Sequence, residues 1–147
     1  MAFSAEEVAA RMEILDVIAR YSVHIDAGEF DRLQALFTDD AVFDITPDPV
    51  FMKVPVKGGR AIREALEARY RVVVQEAQRR HVMTNTIFDE LSSDRAGTRT
   101  FLSVFSVPKG TGAIELRGTG VYNDKLVRKG GVWQIKERFL VMDALGR

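Results

Sequence analysis

The sequence predicts an α+β domain, a few helices laid over a curved antiparallel sheet. Two observations carry this. Apolar residues recur with helical spacing before His81, whereas from His81 onward four runs rich in Val, Thr, Phe and Ile follow one another across short turns. Helices gathered in one half and strands in the other require the helices to cover one face of the sheet.

The elements follow in order. Ser4 with Glu7 three residues later reads as a capping box. Ile14, Ile18, Tyr21 and Ile25 then mark one face of a long helix, Ser4 to Asp26, which Ala27-Gly28 ends because glycine tolerates the left-handed conformation that follows helices. A short helix fits Glu29 to Phe37, with Phe30, Leu33 and Phe37 on one side. Thr38-Asp39-Asp40 turns the chain into a short strand, Ala41 to Ile45. Pro47, Pro49 and Pro55 then interrupt regular structure, so that stretch reads as a loop, with a lid as one role for it. Gly58-Gly59 precedes a third helix of about Arg60 to Gln78, carrying Ile62, Leu66, Tyr70 and Val73, and Arg79-Arg80 suits a helix C-terminus. The expected strands are His81–Leu91, Ala96–Val107, Ala113–Arg128 and Val132–Asp143, an antiparallel meander. Their turns are Ser92-Ser93-Asp94, Pro108-Lys109-Gly110 and Lys129-Gly130-Gly131. No repeat or linker appears, so residues 1–147 are read as one domain.

Composition narrows the function. At 147 residues a chain removes roughly 70% of its unfolded surface from water, enough for a sizeable core. With 21 basic and 21 acidic residues the net charge is zero, and nothing favours a nucleic acid partner. The absence of cysteine excludes disulfides, thiolate metal sites and a cysteine nucleophile. No segment approaches the roughly 20 apolar residues of a membrane span, and the start lacks a basic stretch followed by an apolar one. No membrane association and a cytoplasmic location are the expectation.

Two histidines are available for proton transfer near neutral pH. His24 shares a helix face with Glu13 and Arg20 and is expected to face solvent. His81 opens the first long strand, where alternation places it with Met83, Asn85 and Ile87. It reads either as a proton carrier or as a histidine satisfied by a backbone carbonyl or by the preceding helix end. Asp26 ends the first helix beside the apolar stripe, and reads either as a site carboxylate or as an ordinary turn residue before Gly28. Asp39, Asp40, Asp44 and Asp48 read as turn and loop residues. No Gly-x-Ser-x-Gly elbow, glycine-rich phosphate loop or His-x-x-x-His pair occurs, and no metal is expected.

Arg20-Tyr21, Ile25 to Asp31, Leu36 to Phe43, Gly59-Arg60-Ala61-Ile62, Arg80-His81 with Thr84-Asn85, Gly120-Val121-Tyr122 and Gly131 to Ile135 occur in an order that resembles the SnoaL-like branch of the nuclear transport factor 2-like superfamily. The resemblance covers nearly the whole chain. It implies a cone-shaped α+β fold, helices on a strongly curved and mainly antiparallel sheet, enclosing a deep apolar pocket. In scytalone dehydratase, bile-acid dehydratase and hexachlorocyclohexane dehydrochlorinase an Asp-His dyad serves the reaction, and the matching positions here are Asp26 and His81. Tyr21 matches a bile-acid dehydratase tyrosine. The second pocket histidine of scytalone dehydratase has no counterpart.

The resemblance therefore implies a cofactor-independent lyase of dehydratase type, or an isomerase, acting on a small cyclic or polycyclic substrate of apolar or aromatic character. His81 would be the base and Asp26 its orienter. Tyr21 would protonate or hold an oxyanion. Five helical residues rotate by roughly 140°, however, which leaves Tyr21 also readable as part of the core stripe. Tyr122 is a second hydroxyl, Asn85 a substrate or supporting contact, and Phe43, Phe51 and Met83 pocket lining. The alternative is a non-catalytic ligand-binding or subunit module, as in the β subunit of ring-hydroxylating dioxygenases. Epoxide hydrolysis would want an Asp-Arg-Asp arrangement that the sequence does not display. A homodimer is expected through the exposed side of the sheet.

Overall fold

The computed structural model describes residues 2–143. Its order is α1 Ala5–Ala27, α2 Phe30–Ala35, β1 Phe37–Thr46, β2 Val56–Lys57, α3 Gly59–Glu76, β3 Ala77–Leu91, β4 Arg95–Pro108, β5 Glu115–Lys129 and β6 Val132–Met142. The capping box forms: Ser4 Oγ accepts from the Glu7 amide at 3.1 Å and Glu7 Oε2 from the Ser4 amide at 2.7 Å. At the other end Gly28 adopts φ 74°, and a Cβ there would meet the Tyr70 ring at 2.9 Å. The left-handed turn and the close approach both demand glycine.

The six strands form an open sheet in the order β2-β1-β6-β5-β4-β3. β3 to β6 are the antiparallel meander the sequence predicts. β1 adds to it in parallel with β6, which makes the sheet mixed. The helices pack on one face, where Ile14, Ile18, Leu33, Ile62 and Leu66 meet Leu102, Leu126 and Ile135 in a single core. Among the described residues no helix is long and apolar enough to cross a membrane.

Several boundaries differ from the sequence reading, because pairing between distant segments extends the sheet beyond what local signals show. β1 runs Phe37–Thr46 and not Ala41–Ile45, so Thr38, Asp39, Asp40 and Asp44 are strand and not turn or loop residues. α2 ends at Ala35, since the Ile135 amide donates to Leu36 O at 2.8 Å and Phe37 pairs with Ile135. α3 ends at Glu76, so Arg79 and Arg80 are strand residues opposite Ser106 and Phe105 and close no helix. The two-residue strand β2, which the prolines concealed, pairs Val56 with Phe43.

Candidate active site

α1 delivers Asp26 in its final turn, and β3, beginning four residues earlier than expected, delivers His81 beside it. The two meet twice. His81 Nδ1 lies 2.6 Å from Asp26 Oδ1, and the His81 backbone amide donates to Asp26 Oδ2 at 2.7 Å. Both side chains are largely buried. A carboxylate accepting at Nδ1 places the proton there, which leaves Nε2 as the basic nitrogen.

Asp26 and His81 lie on the wall of a cavity of about 310 Å³, at the lower end of the range for small-molecule sites. Ile25, Phe43, Ile45, Leu66, Leu102 and Leu140 give it an apolar body. Tyr21, Tyr122, Phe43 and Phe51 all line it, as the sequence suggests. The 140° between Tyr21 and Asp26 proves compatible with a shared pocket, which spans the side and the end of α1, with Ile25 between them.

Met83 and Asn85 stand outside the pocket lining. Met83 packs against the core. Asn85 has φ 56° at a register shift between Thr84 and Ile87, so the strand loses its alternation there and the side chain is exposed. His24 also corrects its expectation. It is buried, with Nδ1 2.7 Å from Glu29 Oε2, because the turn at Gly28 folds Glu29 back against the helix end.

Behind the tyrosines lies a buried ion pair that sequence reasoning missed. Arg138 of β6 donates from Nε and Nη2 to Asp124 of β5 at 2.8 and 2.7 Å, and both side chains are fully buried. The guanidinium carbon is 4.0 Å from the Tyr21 ring centre and 4.3 Å from that of Tyr122. The two rings meet edge to face at 5.8 Å. Burial lowers the basicity of Arg138, but the Asp124 carboxylate more than offsets this and its pKa is raised. Burial also pushes both phenols up, Tyr122 well above its ordinary value, with Arg138 opposing the rise at each. Both tyrosines are thus neutral hydroxyls at physiological pH, and hence proton donors.

Asp124 was accessible to sequence reading, since it shares the inward side of β5 with Gly120, Tyr122 and Leu126. Arg138 was not. Lys125 pairs with Glu137 but Leu126 with Ile135, so Lys136 is an extra residue, and the inward side passes from Trp133 and Ile135 to Arg138 and Leu140.

A sequence profile of the SnoaL-like domain matches residues 6–139. No protein of curated function matches the chain significantly. In fold the chain is similar to a candidate scytalone dehydratase from Novosphingobium aromaticivorans, at TM-score 0.80 and 21% identity, covering 97% of this chain and 89% of that one. It is similar to ActVI-ORFA from Streptomyces coelicolor, at TM-score 0.80 and 22% identity over 93% of this chain and 99% of that one. LinA gives TM-score 0.79 and 19% identity over 95% and 89%. At these identities the likeness is one of nuclear transport factor 2-like fold. The profile match runs from the first turn of α1 into β6, and the chain belongs to the SnoaL-like domain family.

Proposed function

We propose that the chain is a lyase of dehydratase type, or an isomerase, that needs no cofactor and removes a proton from carbon in a small cyclic substrate. The observation that carries this is the pair of hydrogen bonds between Asp26 and His81 at the wall of an apolar pocket. Fold similarity to a candidate scytalone dehydratase and to LinA supports the same class.

In this reading His81 Nε2 takes the proton. The C–H electron pair becomes the new double bond, and hydroxide or another anion leaves with the electrons of its bond to carbon. Asp26 stabilises the imidazolium so formed and keeps the ring from rotating. Tyr21 or Tyr122 donates a hydrogen bond to a carbonyl oxygen as it gains charge, or a proton to departing hydroxide. Arg138 touches both rings from behind and makes charge on either phenol less costly. In isomerisation the imidazolium returns its proton to a different carbon.

The test is absorbance-monitored formation of the conjugated product from a panel of cyclic β-hydroxy ketones. Asp26→Asn and His81→Ala are each expected to lower kcat by about 10²- to 10⁴-fold on any substrate found. Full activity in both variants would sink the assignment.

A further inference from the structure

The chain carries equal numbers of basic and acidic residues, 21 of each, but its pocket does not share that balance. Arg69 of α3, Arg79 of β3 and Arg117 of β5 line it, against the single carboxylate of Asp26, which is already engaged by the amide and ring of His81.

Elsewhere many arginines are matched to a carboxylate, as Arg60 is to Glu64, Arg71 to Glu67 and Arg99 to Asp89. Arg69 and Arg79 have no such partner among the described residues. Arg69 Nε is buried and without a hydrogen-bond partner among those residues. Its guanidinium carbon lies 4.5 Å from the centre of the ring of Phe51, an exposed residue of the loop between β1 and β2. Arg79 is half-buried, and its pKa is lowered first by burial and then by the charges of Arg69 and Arg117, with the Asp26 charge opposing the fall only in part. Arg117 pairs with Glu115 at 3.1 Å, but both are exposed, and such a pair exchanges readily for another anion. Like charge from Arg69 and Arg117 at Arg79 is a cost to the empty pocket that an anion would relieve.

The geometry points to an anion subsite at the mouth of the pocket, formed by Arg69, Arg79 and Arg117, that takes a carboxylate or phosphate group carried by the substrate. Planar guanidinium groups suit both chemistries through paired N–H donors. Arg79 lies two residues before His81 on the inward side of β3, about 7 Å along the strand. The substrate is then amphiphilic, with an apolar ring body inside and its anionic group about that distance from the carbon that loses the proton. Assigning the anion to a substrate rests on the proposed elimination. The preference for anions does not.

Calorimetric titration at low salt with 2-naphthoate, 2-naphthyl phosphate and neutral 2-naphthamide tests the subsite. At least one anion is expected to bind about tenfold or more tightly than the amide, and the tighter of the two tells carboxylate from phosphate. The preference should shrink as salt rises. Arg69→Gln with Arg79→Gln should bring the anions to the level of the amide and leave the amide unchanged. Exposed Arg117→Gln, which does not threaten folding, should weaken the anions alone by several-fold. Equal binding of anions and amide, no anion binding at millimolar concentration, or a preference that survives these substitutions would overturn the subsite. His81→Ala should retain the anion preference. Loss of turnover in Asp26→Asn without any anion preference therefore refutes the subsite and spares the dyad, and the converse pattern refutes the dyad alone.

Discussion

Asp26 holds His81 by two separate atoms, Oδ1 on the ring nitrogen and Oδ2 on the backbone amide, at 2.6 and 2.7 Å. A carboxylate used in this way fixes the ring through χ1 and χ2 as well as its tautomer. It also ties the last turn of α1 to β3.

The first prediction is spectroscopic, because the chain has only two histidines. Above the titration of the rings, ¹⁵N spectra should show His81 with its proton on Nδ1 and with Nε2 bare. Asp26→Ala should remove that bias, since the hydrogen bond at one nitrogen selects the tautomer. The His24 signal, governed by Glu29, should not move. An unchanged His81 spectrum in Asp26→Ala would contradict the pairing.

The Asp124–Arg138 pair predicts an asymmetry in stability. Removing one partner strands a buried charge, so Asp124→Ala should cost about 3–5 kcal/mol in urea denaturation. Replacing both, Asp124→Leu with Arg138→Met, should recover most of that loss, because an apolar pair of similar volume avoids the desolvation of two ions. Additive losses in the double variant would count against this account.

The two pairs also show what sequence could convey. Asp26 is placed by helix length and by the glycine that ends the helix, both visible as local signals. His81 is placed by a strand whose inward phase holds over Arg79, His81 and Met83. Where a bulge intervenes, counting by two fails. It misplaces Asn85 beyond the shift in β3, and it hides Arg138 beyond the shift in β6. Bulges arise from pairing between distant segments, and such pairing leaves little trace in local composition. His24 fails for a related reason, since its partner Glu29 belongs to the turn after the helix and not to the helix face.

Gly120 supplies a third prediction. It pairs with Leu102 on one side and Met142 on the other, and a Cβ built on it would lie 2.6 Å from the Val141 carbonyl oxygen. That oxygen is backbone and cannot swing away. Gly120→Ala should therefore force β5 and β6 apart beside Tyr122, at a cost of about 1–3 kcal/mol. Thermal unfolding reads it directly, and an unchanged Tm would mean that the strands yield without cost.

A homodimer through the outer face of the sheet predicts a specific dependence on apolar residues. Phe101 of β4 stands beside Val121 of β5, and Val121 beside Val141 of β6, so the three form a row across the sheet. Phe101 and Val141 are exposed, as are Val82 and Phe139 nearby. Contiguous apolar surface of this kind favours association. Light scattering at micromolar concentration should give a dimer, and Phe101→Lys with Val141→Lys should give a monomer that keeps its fold. A wild-type monomer would refute it.

The buried tyrosines set the behaviour at high pH. In the folded chain burial raises both phenols above the value of about 10 expected of an unfolded chain. Below that value both states hold the protons and pH has no leverage on stability through these groups. Above it the unfolded chain releases its protons while Tyr21 and Tyr122 retain theirs, so the unfolded state binds fewer protons and stability falls as pH rises. The decline continues until the folded phenols ionise. Urea denaturation from pH 9 to 11 should show this loss, and Tyr21→Phe with Tyr122→Phe should reduce its slope, because phenylalanine has no proton to release. Absorbance of tyrosinate should likewise lag in the native chain, which has three tyrosines in all, and appear in full only on unfolding. Complete ionisation of the folded protein near pH 10 would show that water reaches these hydroxyls. That outcome would remove the basis for treating them as neutral donors behind the dyad.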